Sequence, residues 1–443
     1  MTYSILYLPI SRKTFDNEAA EEYRALSVEK LQEVAQVEEP GRLLSSVDEL
    51  REYLTQVDSQ SFDAIVYQST TFADAEFPDE VTKWRREPVV VWSVREPSTG
   101  GRLRLNSLTG GNSTSNLMKV KKHPFQFIFG NPDEERCITD LKRSLVVLKT
   151  QTRLKNLKIG VIGDHPPGFY FSDTDEQLLK EKTGVSVEAM DLYHAFNESK
   201  KIEQAAYEPA IALAEKQVIG LNRSDETVTR FAQFYTYVEE QIQQRDIEAL
   251  AIRCWPDFFT ELGAAACSTL SQFTEHGVVS SCESDIHGSV SMFILQELSG
   301  GSAPYLGDLV HVDEEHNSFV FWHCGAAAYS LASPATGATA GVHPNRKLGM
   351  TMEFGLKAGN VTIFRLHYDG ENFKFLVFRG KATDRPQHFN GTSVEVEIEK
   401  DVRETLDHLM GEGYEPHYAI VYADVVDEVK RLGKVMNIPV DVV

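Results

Sequence analysis

Short β-branched apolar runs alternate with longer amphipathic stretches along the first two thirds of the chain. The run SILYLPI at the start is followed by the Glu- and Ala-rich stretch DNEAAEEYRALSVEKLQEVAQ, and then by SFDAIVYQS and EPVVVWSV. That alternation predicts βαβ units and a parallel sheet. The Gly/Ser/Thr/Asn-rich stretch at 98–116 predicts loops near the sheet edge, and a helix over 132–152 leads out of the first domain. A second alternation begins at LKIGVIGDHPPGFYFS, a strand with a Gly/Pro turn. It continues through DEQLLKEKTG, VSVEAMDL, a long helical region to about 246, IEALAIRCWPDFF, HGVVSSC and the helix SVSMFILQEL. From about 301 the pattern changes to short strands and turns: SFVFWHCG, GNVTIFRLHYDG, NFKFLVFRGKA and GTSVEVEI. YDGENFKF reads as a hairpin, and the whole as an antiparallel sheet or small barrel. The chain then returns to helix and strand. The expected architecture is two Rossmann-like parallel α/β domains, 1–152 and 153–300, followed by a β-rich, barrel-like domain at 301–443.

With 443 residues the chain is long enough for two or three domains. Its composition, 42% hydrophobic and 25% charged, is that of an ordinary globular protein. The formal net charge of -22 argues against nonspecific binding to nucleic acid or to anionic membrane. No apolar run approaches the roughly 20 residues of a spanning helix. The opening MTYSILYLPISRKTFD has no basic region ahead of an apolar run, so it does not read as a secretory leader, and a cytoplasmic location is expected. The cysteines (Cys137, Cys254, Cys267, Cys282 and Cys324) are scattered and form no CxxC pair. Reduced core thiols are expected rather than a disulfide framework.

Ligands in open parallel sheets bind beyond the carboxyl ends of the strands. The candidate ends here follow Ile162, Ile252 and Cys282. Glu283 sits between the apolar GVVSSC and a helix expected to begin near Ser284, so it is either a capping acid or a site residue. Asp285 falls in the first turn, where it complements the helix dipole, and His287 reads as structural. Asp308 is a carboxylate among apolar residues where the domain type changes, whereas Asp313, in VDEEHN, reads as a solvated turn. His323 follows the aromatic strand FVFWHCG, and His417 leads into YAIVYADV. Phe169, Arg253 and Trp255 lie just past predicted strand ends and are candidate pocket wall. Two carboxylates with one neutral imidazole would suit Mn²⁺, Mg²⁺, Fe²⁺ or Zn²⁺, but the spacing of the three is no motif by itself.

The segments CESDIHGSVSMFILQELSGGSAPYLGDLVHVD and PHYAIVYADVVDEVKRLGKVMNIPV resemble the L-fucose isomerase/L-arabinose isomerase family, as do AIRCWPDFF, SRKTFD and the WSVREP and LRLNSLTGG pieces of the first domain. The resemblance implies two α/β domains and a β-rich third. It implies one divalent cation, Mn²⁺ or else Mg²⁺, Co²⁺ or Fe²⁺, on Glu283, Asp308 and His417. Glu283 and Asp308 would also carry the proton between C1 and C2 of an open-chain aldose, through an enediol. His323 would orient a hydroxyl of the sugar or support a ligand. The family forms homo-oligomers, hexamers among them, whose sites are completed by a neighbour's first domain; Arg12 and Trp92 would then touch sugar. The implied substrate is an L-fucose- or D-arabinose-type aldose, or a related hexose such as sulfoquinovose, because the chain is shorter than the long fucose isomerases. The competing expectation is a non-catalytic cytoplasmic sugar-binding or regulatory protein on the same fold.

Overall fold

The structure, a computed structural model, describes residues 3–443. These residues form two compact units, one of residues 3–153 with Lys430–Asn437, the other of Leu154–Val429 with Ile438–Val443.

The first unit holds a parallel sheet of β1 (Tyr3–Ile10), β2 (Ala35–Glu38), β3 (Ala64–Ser69), β4 (Val89–Ser93) and β5 (Phe125–Phe129), in the order 2-1-3-4-5. β3 and β4 are buried along their whole length, which explains their nearly unbroken apolar runs. The period of two is visible in β1. Leu6, Leu8 and Ile10 enter one core layer, while Ile5 and Tyr7 enter the other. The helix expected over 132–152 spans Glu135–Asn156. The stretch at 98–116 departs from expectation, because its second half belongs to a helix, Ser107–Val120. Its small residues, which resemble loop composition, serve close packing. A Cβ on Gly111 would come within 2.0 Å of Ser93 Oγ, and one on Gly110 within 3.2 Å of Ser69 Cβ.

The second unit begins with β6 (Lys158–Ile162), β7 (Ser186–Met190), the two-residue β8 (Val218–Ile219), β9 (Ala249–Ile252) and β10 (Ser280–Ser281). All but β8 form a parallel sheet in the order 10-9-6-7. Then follow β11 (Tyr305–Asp313), β12 (Ser318–His323), β13 (Ala338–Gly341), β14 (Thr351–Gly355), β15 (Gly359–Tyr368), β16 (Phe373–Ala382), β17 (Thr392–Ile398), β18 (His417–Val421) and β19 (Val440–Val442). β16, β15, β18, β11, β12 and β17 close into an antiparallel barrel. Closure joins Gly380 to Ile398, and a Cβ at Gly380 would meet Val396 Cγ1 at 2.3 Å, so only glycine admits that seam. β14, β13 and β8 extend the sheet from β17, and β19 pairs with β16. The predicted hairpin is β15–β16, with Asp369 Oδ1 accepting from the amides of Glu371 and Asn372 in the turn.

The helix Ile286–Leu298 packs against β9 and β10 on one side and β15 and β18 on the other. It is buried all round apart from Glu297, as its apolar sequence demands. One continuous core therefore joins the parallel sheet to the barrel. Among the described residues no helix is long and apolar enough to cross a membrane.

Candidate active site

Glu283 and Ser284 stand between β10 and this buried helix with φ of 52° and 54°. Left-handed backbone at a residue with a side chain costs about 1–2 kcal/mol, and such strain gathers at functional sites. The kink is fastened by the Ser284 amide donating to Ile252 O (3.2 Å) and Ser284 Oγ donating to Gly163 O (3.2 Å). It makes Asp285 the helix cap, accepting from the Gly288 amide at 2.8 Å. Glu283 is thereby released from capping and projects beyond the strand end.

Asp308 on β11 lies directly across from His417, the first residue of β18. The imidazole of His417 joins the cluster. Its Nδ1 is 2.8 Å from Asp285 Oδ2, and its Nε2 is 3.0 Å from Glu283 Oε2 and 3.4 Å from Asp308 Oδ1. His323, at the end of β12, has Nε2 3.7 Å from Glu283 Oε2. The three residues expected to hold a cation are therefore together, with His323 beside them. The His417 and Asp285 side chains are no more than 1% exposed, and that of Glu283 is 12% exposed.

Asp285 does more than complement the helix dipole. It takes a two-pronged ion pair from Arg365 of β15 (2.6 and 3.1 Å), both side chains being fully buried. Arg365 Nε lies 3.4 Å from Glu415, which is also held by His367 Nδ1 at 2.9 Å and the Tyr368 amide at 3.0 Å. Arg365 and Glu415 escaped the sequence reading, although an arginine inside VTIFRLHY was a signal: a buried cation needs an acid. His287 is structural as expected, buried with Nε2 2.8 Å from Thr174 Oγ1.

These contacts set the charges. Burial works to raise the Glu283 carboxyl, but His323 and His417 outweigh it and bring it down to about 2. Burial also opposes ionisation of Asp285, and Arg365 and then His417 hold it well below the usual carboxylate range. Asp308 goes the other way, raised by burial despite the two imidazoles. In His417 burial favours the neutral ring, yet Asp285, Asp308 and Glu283 lift it to about 9. Asp285 and Glu415 flank the Arg365 guanidinium while Glu283 and Asp308 face His417, so positive charge beyond the one guanidinium comes from imidazolium or from a cation.

The donor set fits a divalent cation. Glu283 Oε2 and His323 Nε2 are buried with no well-aligned hydrogen bond, Glu283 Oε2 having only the imidazole nitrogens of His417 and His323 at 3.0 and 3.7 Å, an arrangement that a bound cation or substrate oxygen would improve. Donor atoms of Glu283, His323 and His417 lie within 4.8 Å of one another. The Asp285 hydrogen bond to His417 Nδ1 turns Nε2 toward the carboxylates, as in metal sites where a carboxylate orients the ligating histidine. His323 differs, because its Nδ1 accepts the Cys324 amide at 3.0 Å. In the neutral ring the proton then sits on Nε2, so His323 faces the site as a donor. Glu283 and His417 would then hold a cation, with Asp308, whose Oδ1 is 3.4 Å from His417 Nε2, as the third residue that could join them.

Phe171 meets the His417 ring edge-on at 5.0 Å, and Phe169 meets Trp255 at 5.3 Å. Arg253 is engaged by Asp257 at 2.7 Å, and Asp257 also accepts from Tyr193 at 2.6 Å. Arg253 lines a hollow of about 570 Å³ at the carboxyl ends of β6, β7 and β9. Arg12 and Trp92 belong to the first unit. Arg12, half-buried at the end of β1, pairs with Asp74 over the ring of Phe77. Trp92 is fully enclosed, its Nε1 donating to Gly130 O at 2.8 Å. The expected sugar contact of Trp92 thus has no surface to come from, because β4 is central and buried on both faces. Asp313 lies in the exposed turn predicted for it, paired with His316 at 2.8 Å. All five cysteines are buried and free. Four gather near the site: Cys254 Sγ is 3.6 Å from Glu283 Oε1, Cys267 and Cys324 are 3.2 Å apart, and Cys282 precedes Glu283.

The class comes from the comparisons, which relate the whole chain to sugar isomerases. Sulfoquinovose isomerases of Priestia megaterium and Alkalicoccus urumqiensis are 57% and 55% identical to the chain, covering 98% and 99% of it and 98% of each relative. That of a Clostridium species is 35% identical over 99% of both chains. The chain belongs to the sulfoquinovose isomerase family. The reading as a non-catalytic sugar-binding protein is not favoured by these relatives. No protein-family model matches. Among solved structures, a glucose-galactose binding protein from Geobacillus stearothermophilus aligns with a TM-score of 0.18 at 13% identity, over 68% of this chain and 92% of that one, which carries no argument.

Proposed function

We propose that this isomerase converts sulfoquinovose, the glucose that bears a sulfonate in place of its 6-hydroxyl, into the corresponding ketose. A divalent cation, Mn²⁺ in the first instance, would sit on Glu283, Asp308 and His417, as the resemblance to fucose and arabinose isomerases implies. The observation that carries the reading is the convergence of these three side chains, from a strand end and two barrel strands, with a buried Glu283 oxygen that faces only imidazole nitrogens and has no well-aligned hydrogen bond. Such a cation would polarise the C1/C2 oxygens of the open-chain sugar and stabilise the charge of the enediol.

The chain's own groups do the rest. Glu283 and Asp308 both face His417 Nε2 and are the groups that can take a proton from one carbon and return it to its neighbour. Asp285, locked by Arg365, holds the His417 ring in one tautomer. His323 Nε2–H donates to an oxygen of the reacting end. Phe169, Phe171 and Trp255 offer faces against which the sugar's C–H groups pack and exclude water. The resemblance extends the proposal to a cytoplasmic homo-oligomer.

The test is isomerisation of sulfoquinovose in D₂O with Mn²⁺, followed by NMR. Exchange through an enediol places deuterium on C1 or C2 of the sugar. Glu283→Gln should lose turnover by at least about 10³-fold, typical for removing a group used in both proton transfer and charge stabilisation. Turnover near the parent rate in that variant refutes the mechanism.

A further inference from the structure

Arg346 carries a charge that no carboxylate answers. Every other arginine of the second unit forms an ion pair with an Asp or Glu. Among the described residues Arg346 has no such partner, in a chain whose net charge is -22. Its place is built. The turn that bears it is tied by the His343 amide donating to Leu348 O (2.9 Å) and the Lys347 amide donating to His343 O (2.8 Å). His343 Nδ1 faces the amides of Asn345 and Arg346 at 3.3 Å, and its ring stands edge-on to Phe259 at 5.0 Å. The guanidinium lies 5.4 Å from the centre of the Trp255 ring, a cation–π seat that orients it without neutralising it.

Trp255 joins this cation to the catalytic end. Its chain neighbour Cys254 touches Glu283 at 3.6 Å. From its ring an aromatic floor runs through Phe169 and Phe171 to His417, in steps of 5.3, 5.5 and 5.0 Å. A hexose chain drawn out from C1 to a sulfur on C6 spans about 8 Å at ordinary C–C lengths and angles. The ring path is longer than the sugar, but the Cys254 contact with Glu283 brings Trp255 close to the reacting end by a shorter route, so a sugar held by O1 and O2 at Glu283 and His417 would have its far end on the Trp255 side, toward Arg346. We propose that Arg346 binds the sulfonate of the substrate and so selects sulfonated over neutral aldoses. The assignment rests on the isomerase reading above. Arg253, the other arginine near the strand ends, is already held by Asp257. A guanidinium can meet two sulfonate oxygens at once, as an ammonium cannot.

Steady-state kinetics on sulfoquinovose with Mn²⁺ test this in the parent, Arg346→Met and Arg346→Lys. Arg346→Met should raise KM about 10- to 100-fold, the loss of a charge-assisted contact, with kcat within about threefold and the melting temperature unchanged. Arg346→Lys should fall between. An Arg346→Met KM within twofold of the parent, or a fall in kcat and melting temperature instead of a rise in KM, overturns the assignment and leaves the isomerase reading standing. A parent protein that isomerises neutral aldoses but not sulfoquinovose overturns the assignment and the substrate reading together.

Discussion

Replacing Arg365 by methionine exposes how the site is held. Arg365 and Asp285 are both fully buried and joined at 2.6 and 3.1 Å. In Arg365→Met the Asp285 carboxylate keeps only the Gly288 amide and His417, while Glu415 retains His367 and the Tyr368 amide. Methionine fills similar volume, so lost packing contributes little. Removing one partner of a buried ion pair costs about 3–5 kcal/mol. At roughly 2–4 °C per kcal/mol for a body of this size, the expected fall in melting temperature is on the order of 10 °C. Because Asp285 also orients His417, apparent Mn²⁺ affinity should drop about 10- to 100-fold, the usual effect of losing a partner that positions a ligand. Thermal melts with and without Mn²⁺ read both quantities. The double variant Asp285→Asn/Arg365→Met should be less destabilised than the sum of the singles, by at least about 1 kcal/mol, because the orphaned charge is gone. An Arg365→Met protein that melts within about 2 °C of the parent would refute the reasoning, as would strict additivity.

Two further outcomes are expected. Exhaustive chelation should abolish isomerase activity and Mn²⁺ should restore it, and full activity in metal-free protein by elemental analysis would exclude the cation. Gly111→Ala should destabilise the first unit by about 1–3 kcal/mol, because its Cβ would meet the buried Ser93 Oγ at 2.0 Å and that hydroxyl donates to Ser107 O; melting temperature measures the loss, and adding Ser93→Ala should recover part of it.

The parallel sheets and the barrel were legible because burial on both faces demands continuous apolar runs such as AIVYQS and VVVWS, while hairpins advertise their turns. The helix at Ser107–Val120 was hidden, since Gly110 and Gly111 have the same composition whether they supply a loop's freedom or a helix's close approach. Trp92 was misjudged for a related reason: an aromatic at a strand's end reads alike whether it lines a pocket or fills a core.

The sequence alone determined the α/β-then-barrel order of the elements, the helix at Ser107–Val120 apart, and marked Glu283, Asp308 and His417 as residues worth bringing together, through resemblance more than spacing. Only the tertiary structure decided what each polar group near the site does. It made Asp285 rather than Glu283 the helix cap, joined Arg365 to it from 80 residues away, and left Arg346 without an acid. The physical reason is that periodicity reports burial, which is a local property of each segment. The role of a charge depends on which opposite charge the folded chain brings within a few ångströms, and that contact joins residues far apart in sequence.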